Sequence, residues 1–414
     1  MKARADAVVI GGGPAGTSAA IWLAEAGWRV VLAEQHAFPR QKVCGECLPA
    51  GAFALLDELG VGELVRQLAG PELRRVGWMD CERTLVADMP ACAAMPEPYG
   101  RALGRDLFDG LLMDRARAVG VDVRQPAKVT EVRGIPGDYS CELVESAGHG
   151  LGHGNARPAV TVGAAVVIDA HGSWERGPRF SVSGSPGDPA DKPARSTDLF
   201  AFKTTFRRST LAPGLLPVFA VPGGYGGMVV SNDDRTTVAL CLRRDALRAV
   251  RSRHRGVTAG SAVERHLRDS CQGVDDALRD AERQTAWLAV GPLRPGSRHA
   301  QTPGIFRVGN ACGEAHPLVG EGMSMALQSS RALVRMLVDD PGVASRAYNR
   351  SWRTAFNPRL RFAACYAHIA MRPALSAPVG EVLRHWPGLL TAAAVLAGKA
   401  RPAIHAFGPG KEPA

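Results

Sequence analysis

The stretch "AVVIGGGPAGTSAAIWLAEAGWRVVLAEQ", residues 7–35, decides the fold because it contains a strand, a glycine turn, a helix and a second strand in that order. Gly11 permits the tight turn, Gly13 lets a pyrophosphate approach the backbone, and Gly16 lets the helix pack on the strand. The helix N-terminus also offers free N–H groups to an anion. The turn therefore predicts a dinucleotide site lined by Gly11, Gly13, Pro14, Ala15 and Gly16.

An acidic residue follows where such a site needs one. Glu34 ends the second strand, about 20 residues after the glycine turn, where a carboxylate accepts the ribose hydroxyls of an adenosine and disfavours a 2′-phosphate. With both strands, the helix and this acid in place, the pattern predicts FAD or NAD binding. The rest of the chain distinguishes the two.

Composition narrows the class of protein. A chain of 414 residues is longer than a domain with a single hydrophobic core usually is, so we expect two interleaved domains. Nine cysteines, an odd number, and an N-terminus without a signal-peptide pattern indicate a cytoplasmic protein with reduced thiols. The net charge of +10 is spread along the chain without a basic block, so we expect no nucleic-acid partner. The apolar stretch 389–398 is too short for stable membrane insertion and is expected to pack as a core helix rather than lie at a lipid surface.

Two later segments settle the cofactor. "VVIDAHGSW", residues 166–174, is a second buried strand with a small-residue turn, and "GIFRVGNACGEAHPLVGEGMSMALQSS", residues 304–330, combines a strand, a glycine-rich turn and a helix. Together with the opening stretch they resemble the para-hydroxybenzoate hydroxylase class of FAD enzymes. The second segment resembles most closely the geranylgeranyl reductase branch of that superfamily. The resemblance implies FAD as cofactor.

The resemblance also assigns flavin contacts. Asn310 stands where the family has an Asp that binds the ribityl chain, and an amide still accepts that bond. Gly172 belongs to the family's Asp-Gly signature, although His171 replaces the acid and Asp169 lies two residues earlier. The turn containing Gly320 and Gly322 is expected to approach the ring edge, and the helix starting near Met323 directs its positive end at the isoalloxazine.

Further residues are less specific candidates for contact with the cofactor. Arg105, in the amphipathic segment 100–121, contacts the ribityl or phosphate groups in the family, and a purely structural role on the helix face is equally expected. Val129 lies in the strand that touches the adenine in the family, and Arg40 and Lys42 are expected to offset phosphate charge. His149 and His153 lie in a glycine-rich loop, and no metal site is predicted.

The segment "PRQKVCGECLPAGAFALLDELGV", residues 39–61, leaves three roles open. It resembles the Lys-x-Cys-Gly segment of geranylgeranyl reductases and of FAD oxidoreductases found with polyketide pathways, which implies that Cys44 and Glu46 line the flavin or substrate. Plain loop packing and a dithiol relay between Cys44 and Cys47 are the alternatives. His316, in the flavin turn, acts either as a base towards a phenol or, more simply, as a hydrogen-bond partner of the backbone.

The predicted fold class is α/β. A Rossmann-like FAD-binding domain of the glutathione reductase type is expected from residues 1–75, 98–177 and 291–345, a mainly antiparallel β-sheet substrate domain from 76–97 and 178–290, and a C-terminal helical cap from 346–414. Residues 178–193 form the expected crossing, and residues 261–288 a helical segment. An aromatic or apolar small-molecule substrate would contact Phe202, Phe206, Phe219, Tyr225 and Met228.

Several reactions fit this scaffold. The favoured function is monooxygenation of a phenolic, quinonoid or polyketide-derived molecule in secondary metabolism, through a flavin hydroperoxide. Reduction of a carbon–carbon double bond is the alternative, with Cys44 or Glu46 as proton donor. A flavin halogenase is a less favoured alternative, because the sequence lacks the Trp-x-Trp motif of that family. A non-catalytic flavin-binding protein is a further alternative. Without a second glycine motif, NAD(P)H is expected to bind transiently, or a separate flavin reductase supplies the electrons. The oligomeric state is not predicted.

Overall fold

The computed structural model describes residues 4–145, 159–182, 193–298, 304–317, 320–340 and 344–401. His149, His153 and most of the expected crossing at 178–193 lie outside these ranges. The strands are β1 (Arg4–Ile10), β2 (Val30–Ala33), β3 (Cys47–Leu48), β4 (Arg75–Met79), β5 (Thr84–Asp88), β6 (Arg101–Ala102), β7 (Asp122–Arg124), β8 (Ala127–Ile135), β9 (Asp138–Glu145), β10 (Val160–Asp169), β11 (Arg179–Val182), β12 (Leu199–Arg207), β13 (Leu215–Val221), β14 (Gly224–Val230), β15 (Thr236–Arg243), β16 (Glu282–Arg283), β17 (Leu288–Leu293), β18 (Gly296–Ser297), β19 (Ile305–Arg307) and β20 (Gly313–Glu314). The α-helices are α1 (Pro14–Glu25), α2 (Ala50–Glu58), α3 (Gly62–Leu68), α4 (Arg105–Ala118), α5 (Arg244–Arg253), α6 (Ala259–Ser270), α7 (Gln272–Leu278), α8 (Gly322–Asp339), α9 (Ala344–Ala370), α10 (Pro373–His385) and α11 (Gly388–Leu396).

The first sheet carries the glycine turn at the carboxyl end of β1. Strand β1 lies between β2 and β10, β19 pairs with β10, and β7 extends the other edge, all in parallel. Alternate residues of β1 enter different cores: Ala7 and Val9 pack with α1, α4 and α8, whereas Val8 and Ile10 pack with the antiparallel strands β8 and β9. Burial of both faces explains why β1 and β2 read as continuous apolar runs.

The second sheet has the order β16-β12-β15-β14-β13-β4-β5, and β17 also pairs with β12. Its pairs are antiparallel except for the parallel pair of β13 and β4. One face packs on α6 and α7. The expected single helical segment 261–288 was wrong in part, because residues beyond α7 are drawn into β16 and β17 by pairing with β12.

The two sheets interleave along the chain, and the α/β fold class with its C-terminal helices is confirmed. The domain boundaries remain a proposal. Strand β11 pairs with β8 of the first sheet, and β17 pairs with β12 of the second sheet.

The C-terminal helices pack across the second sheet. Helix α9 packs on α8, and α11 lies on β4 and β5, where the Thr391 hydroxyl donates to the carbonyl of Asp88 at 2.7 Å. Among the described helices, none has both the length and the apolar character that a membrane crossing requires.

Candidate active site

The glycine turn has the geometry of a ligand cradle. Gly11 has φ of +104°, and a side chain there would press against the Ala170 carbonyl. A Cβ on Gly16 would overlap the Gly11 carbonyl oxygen, so helix and strand meet there. A Cβ on Gly13 would have its nearest neighbour, Arg105 Nη2, only at 3.8 Å. The space beside Gly13 therefore remains open to a ligand.

Glu34 is held beside this cradle. Its side chain is 3% exposed, and its two carboxylate oxygens accept hydrogen bonds from the Gly12 N–H at 2.7 Å and the His36 N–H at 2.8 Å. Arg40 Nη2 lies 3.5 Å from the same carboxylate. The backbone thus fixes the acid at the end of β2, where a ribose hydroxyl would donate to it.

Three cationic side chains surround the cradle. Arg105 is paired with Asp109 through two hydrogen bonds of 2.7 Å. Among the described residues, the buried Nε of Arg40 has no hydrogen-bond partner. Burial, together with the charges of Arg105 and Arg40, lowers the pKa of Lys42 to about 8. The three cations and the N-terminus of α1 give this open glycine turn a positive field, so these residues fit the pyrophosphate of FAD.

The second glycine turn faces the same space. Gly320 has φ of +59°, and a Cβ on Gly322, where α8 begins, would touch nothing within 4 Å. Asn310 Nδ2 donates to Ser173 Oγ at 3.3 Å, which joins this turn to the turn containing Gly172. Asn310, Gly172, Gly320, Gly322 and Met323 all line the cavity described below. Their predicted flavin contacts remain predictions.

Asp169, which lies two residues before the acid position of the family's Asp-Gly signature, has a structural role. Asp169 is fully buried, accepts a 2.5 Å contact from His171 Nδ1, and lies 3.4 Å from Arg307 Nε. Burial tends to raise the pKa of Asp169, but His171 and Arg307 outweigh it and lower the pKa. Asp169 therefore stays charged and joins β10 to β19, while Gly172, with φ of +95°, enters the cavity wall.

A cavity of ≈ 240 Å³ connects the glycine turns to the second sheet and the C-terminal helices. Phe202, Tyr225 and Met228 line it, as expected. Phe206 and Phe219 do not, because they are buried in the core beneath α6 and α7. Helix α11 contributes Leu390, Ala393 and Ala394, and Ala397 follows it.

Glu46 has both carboxylate oxygens engaged. It adopts φ of 60°, is 2% exposed, forms an ion pair with Lys203 Nζ, and accepts hydrogen bonds from Thr237 Oγ1 at 2.5 Å and the Arg105 N–H at 3.1 Å. Both oxygens are thus occupied by donors from Lys203, Thr237 and Arg105. The structure therefore does not support Glu46 as a proton donor, and we assign it the positioning of the loop that carries Cys44.

The two cysteines of this loop have different surroundings. Cys44 is half-buried at the cavity wall, and its Sγ accepts from the Glu46 N–H at 3.3 Å. Cys47 is buried, and burial raises the pKa of its thiol to about 12. A thiol with that pKa forms little thiolate at neutral pH, which argues against a dithiol relay. Within the described part of the chain, no group of His, Cys, Asp and Glu could hold a metal ion.

His316 pairs with a residue whose role the sequence did not indicate. Its Nδ1 lies 2.9 Å from the Tyr225 hydroxyl, and burial lowers the pKa of His316 to about 4. The imidazole is therefore neutral near pH 7. Tyr225 was expected only as an apolar wall, since no local pattern connects β14 to the turn after β20. Val129, expected near the adenine, has its side chain in the core of the first sheet. Its backbone contact remains a prediction.

Comparison with known proteins identifies the class. The family described as "FAD binding domain" matches residues 4–340. The chain belongs to this family, and it is an FAD-dependent oxidoreductase whose cofactor is FAD. This confirms the superfamily and the cofactor expected from the sequence.

Individual relatives differ in their reactions. A menaquinone reductase from Mycolicibacterium smegmatis is 28% identical over 376 residues, which cover 86% of this chain and 80% of the relative. The myxobacterial chondrochloren halogenase CndH has a TM-score of 0.74 at 19% identity, over 99% of this chain and 98% of that one. The p-nitrophenol 4-monooxygenase PnpA from Pseudomonas putida has a TM-score of 0.72 at 17% identity, over 97% of this chain and 99% of that one. The two structures show the fold alone.

Proposed function

We propose that this oxidoreductase reduces a carbon–carbon double bond in an isoprenoid-bearing lipid such as a prenylated quinone. The observation that carries the proposal is a single cavity lined by the glycine turns and Cys44 as well as by small and apolar side chains of α11. An apolar lining beside a flavin site suits a flexible apolar chain. A relative that matches 86% of this chain, a menaquinone reductase, supports the same substrate class. The sequence alone favoured monooxygenation over double-bond reduction, and this proposal reverses that order.

The reaction needs one hydride and one proton. Bound FAD, after reduction by NAD(P)H or a separate flavin reductase, supplies hydride-transfer chemistry. The hydride goes to one alkene carbon and the proton to the other, so the double bond becomes a single bond. We assign the proton to the thiol of Cys44, because this half-buried thiol lines the same cavity as Gly13 and the apolar residues of α11. The Glu46 ion pair holds that loop in place.

A polar pair is available for the head of the substrate. The second sheet contributes mainly apolar surface to the cavity, to which Tyr225 adds a hydroxyl hydrogen-bonded to His316. A neutral imidazole and a phenol can each donate or accept, so the pair suits a quinone carbonyl or hydroxyl. We assign these two residues the orientation of the polar head while the chain extends towards α11.

Product mass tests the proposal. The FAD-loaded protein is incubated without oxygen with a prenylated naphthoquinone and NAD(P)H, or with dithionite as reductant. The ring of the product is reoxidised to the quinone in air before analysis, and we then expect a product two hydrogens heavier than the substrate, with both hydrogens in the isoprenoid chain. Cys44→Ala should retain FAD and lower this turnover on the order of 10²-fold or more, as expected for a lost acid. Cys365→Ala, which removes an exposed thiol of α9, is the matched control and should not change turnover.

Monooxygenation is the second candidate, and the Tyr225–His316 pair favours it. The neutral imidazole of His316 lines the cavity and can accept a hydrogen bond from a phenol, which raises the electron density of the phenol ring. In that case the product forms only in air and contains one oxygen atom from labelled dioxygen. That result, without any hydrogenated product, would contradict double-bond reduction.

A further inference from the structure

A buried lysine lies beside the second glycine turn. Lys399 Nζ donates a hydrogen bond to the Gly320 carbonyl at 3.2 Å, and a Cβ built on Gly320 would lie 3.2 Å from the same nitrogen. The lysine side chain is 9% exposed, and Lys399 lines the cavity together with Gly320 and Gly322. An ammonium held in the cavity wall, next to an open glycine turn, acts electrostatically on any group that the turn receives.

The packing of helix α11 brings this lysine to the turn. Leu390 and Ala394 are buried in the core between the second sheet and the C-terminal helices, and the Lys399 N–H donates to the Ala394 carbonyl at 3.0 Å. Leu389 and Leu396 are 45% and 53% exposed, so the prediction of a core helix was right for only one side. The buried side of α11 therefore fixes the backbone that carries Lys399.

The charged groups around Lys399 leave a net positive charge. The Glu321 carboxylate, which is 2% exposed, lies 3.6 Å from Lys399 Nζ and 3.7 Å from Arg359 Nη1, so two cations share one acid. Burial raises the pKa of Glu321, and the two cations oppose that shift. The neighbouring Cys47 thiol, whose pKa is about 12, adds no charge near neutral pH. Even a fully ionised Glu321 leaves one positive charge, and of these three charged residues it is Lys399 that lines the cavity.

A reduced flavin carries a charge that this cation would stabilise. When an oxidised flavin takes up two electrons and one proton, a negative charge remains on the pyrimidine part of its ring. Gly13 and the turn containing Gly320 and Gly322 line the same cavity, so a flavin whose pyrophosphate lies at Gly13 is expected to reach that turn.

We propose that Lys399 tunes the cofactor: its ammonium stabilises the negative charge of the reduced flavin and raises the reduction potential of the bound FAD. The full charge of Lys399 adds to the partial positive charge at the N-terminus of α8, which begins at Gly322. The inference rests on FAD as the cofactor and on the expected place of its ring. It does not depend on the proposed substrate or reaction.

The reduction potential of the bound FAD tests this role without any substrate. The FAD-loaded protein is reduced slowly, without oxygen, beside a reference dye of known potential, and the two absorbances give the equilibrium between flavin and dye. Lys399→Met should shift this equilibrium about tenfold or more towards the oxidised flavin, which lowers the potential by about 30 mV for a two-electron couple. Lys399→Arg keeps the charge and should stay close to the unaltered protein. Lys128→Met, which removes an exposed lysine of β8, is the matched control and should leave the potential unchanged.

Glu321→Gln separates the effect of charge from the effect of packing. This variant removes the negative member of the same ion pair, so its potential should rise, whereas a disturbed turn would move both variants in the same direction. An equilibrium for Lys399→Met within twofold of the unaltered protein would overturn the proposal, and so would a lowered potential for Glu321→Gln. The flavin absorbance of each purified variant is recorded first. If Lys399→Met has lost its FAD, the sign of the shift in Glu321→Gln decides the question.

Discussion

Lys42 gives a quantitative test of the cofactor site. Its pKa is lowered to about 8 by burial and by the neighbouring Arg105 and Arg40, and an adjacent anion should return it towards its ordinary 10.5. Binding of anionic FAD then requires the protonated amine. As pH rises above about 8, the free protein loses that proton, and its affinity for FAD should fall. Linkage between these two pKa values predicts about 25-fold weaker binding at pH 9.5 than at pH 7.

The assay is a titration of apoprotein with FAD, followed by flavin fluorescence, at several pH values. Lys42→Arg keeps the positive charge without titrating in this range, so its affinity should change little with pH. Lys42→Met should bind weakly at every pH. If Lys42→Arg loses affinity with pH as steeply as the unaltered protein, another group titrates and the placement of Lys42 beside the cofactor is wrong.

Further predictions concern the turn, the buried histidine and the loop. Gly13→Val should abolish FAD retention by filling the open space beside the turn, and a normal flavin absorbance in the purified variant would contradict the cradle. The pKa of His316 is about 4 in the folded protein, so the unfolded chain takes up a proton first as pH falls below ~6.5. The free energy of unfolding should therefore decrease by up to about 3 kcal/mol by pH 4. Urea unfolding of His316→Asn should show a weaker pH dependence. Glu46→Gln should lower the free energy of unfolding by roughly 3–5 kcal/mol, because it leaves Lys203 charged and unpaired. The double variant Glu46→Gln with Lys203→Met should regain part of this stability. If the single and double variants are equally stable, the buried pair is not coupled.

The cofactor half of the site was predictable because its signals are local. Gly11, Gly13, Gly16 and Glu34 lie within one strand–helix–strand unit, where spacing along the chain determines position in space. The turn at 309–322 has the same property. Glycine is required locally at Gly11 and Gly320, which have positive φ, and at Gly16, where a Cβ would overlap the Gly11 carbonyl oxygen.

The substrate half was less predictable because its contacts join distant residues. Glu46 meets Lys203 and Thr237 only after the second sheet forms, and Tyr225 meets His316 only when that sheet packs on the flavin turn. Residues 282–293 illustrate the same limit, since pairing with β12 makes them strands. For α11, apolar residues all around the helix could not indicate which side would be buried.

The most direct test of the proposed reaction is the reoxidation of the reduced protein in a stopped-flow spectrometer. The FAD-loaded protein is reduced without oxygen and mixed either with an oxygen-free solution of the isoprenoid-bearing lipid in its hydroquinone form, which leaves the double bond as the only oxidant, or with oxygenated buffer containing a phenol. If the protein reduces the double bond, the oxidised flavin spectrum should return rapidly with the unsaturated lipid alone. No reoxidation by the lipid, together with a transient absorbance change in oxygen that the phenol shortens, would contradict it.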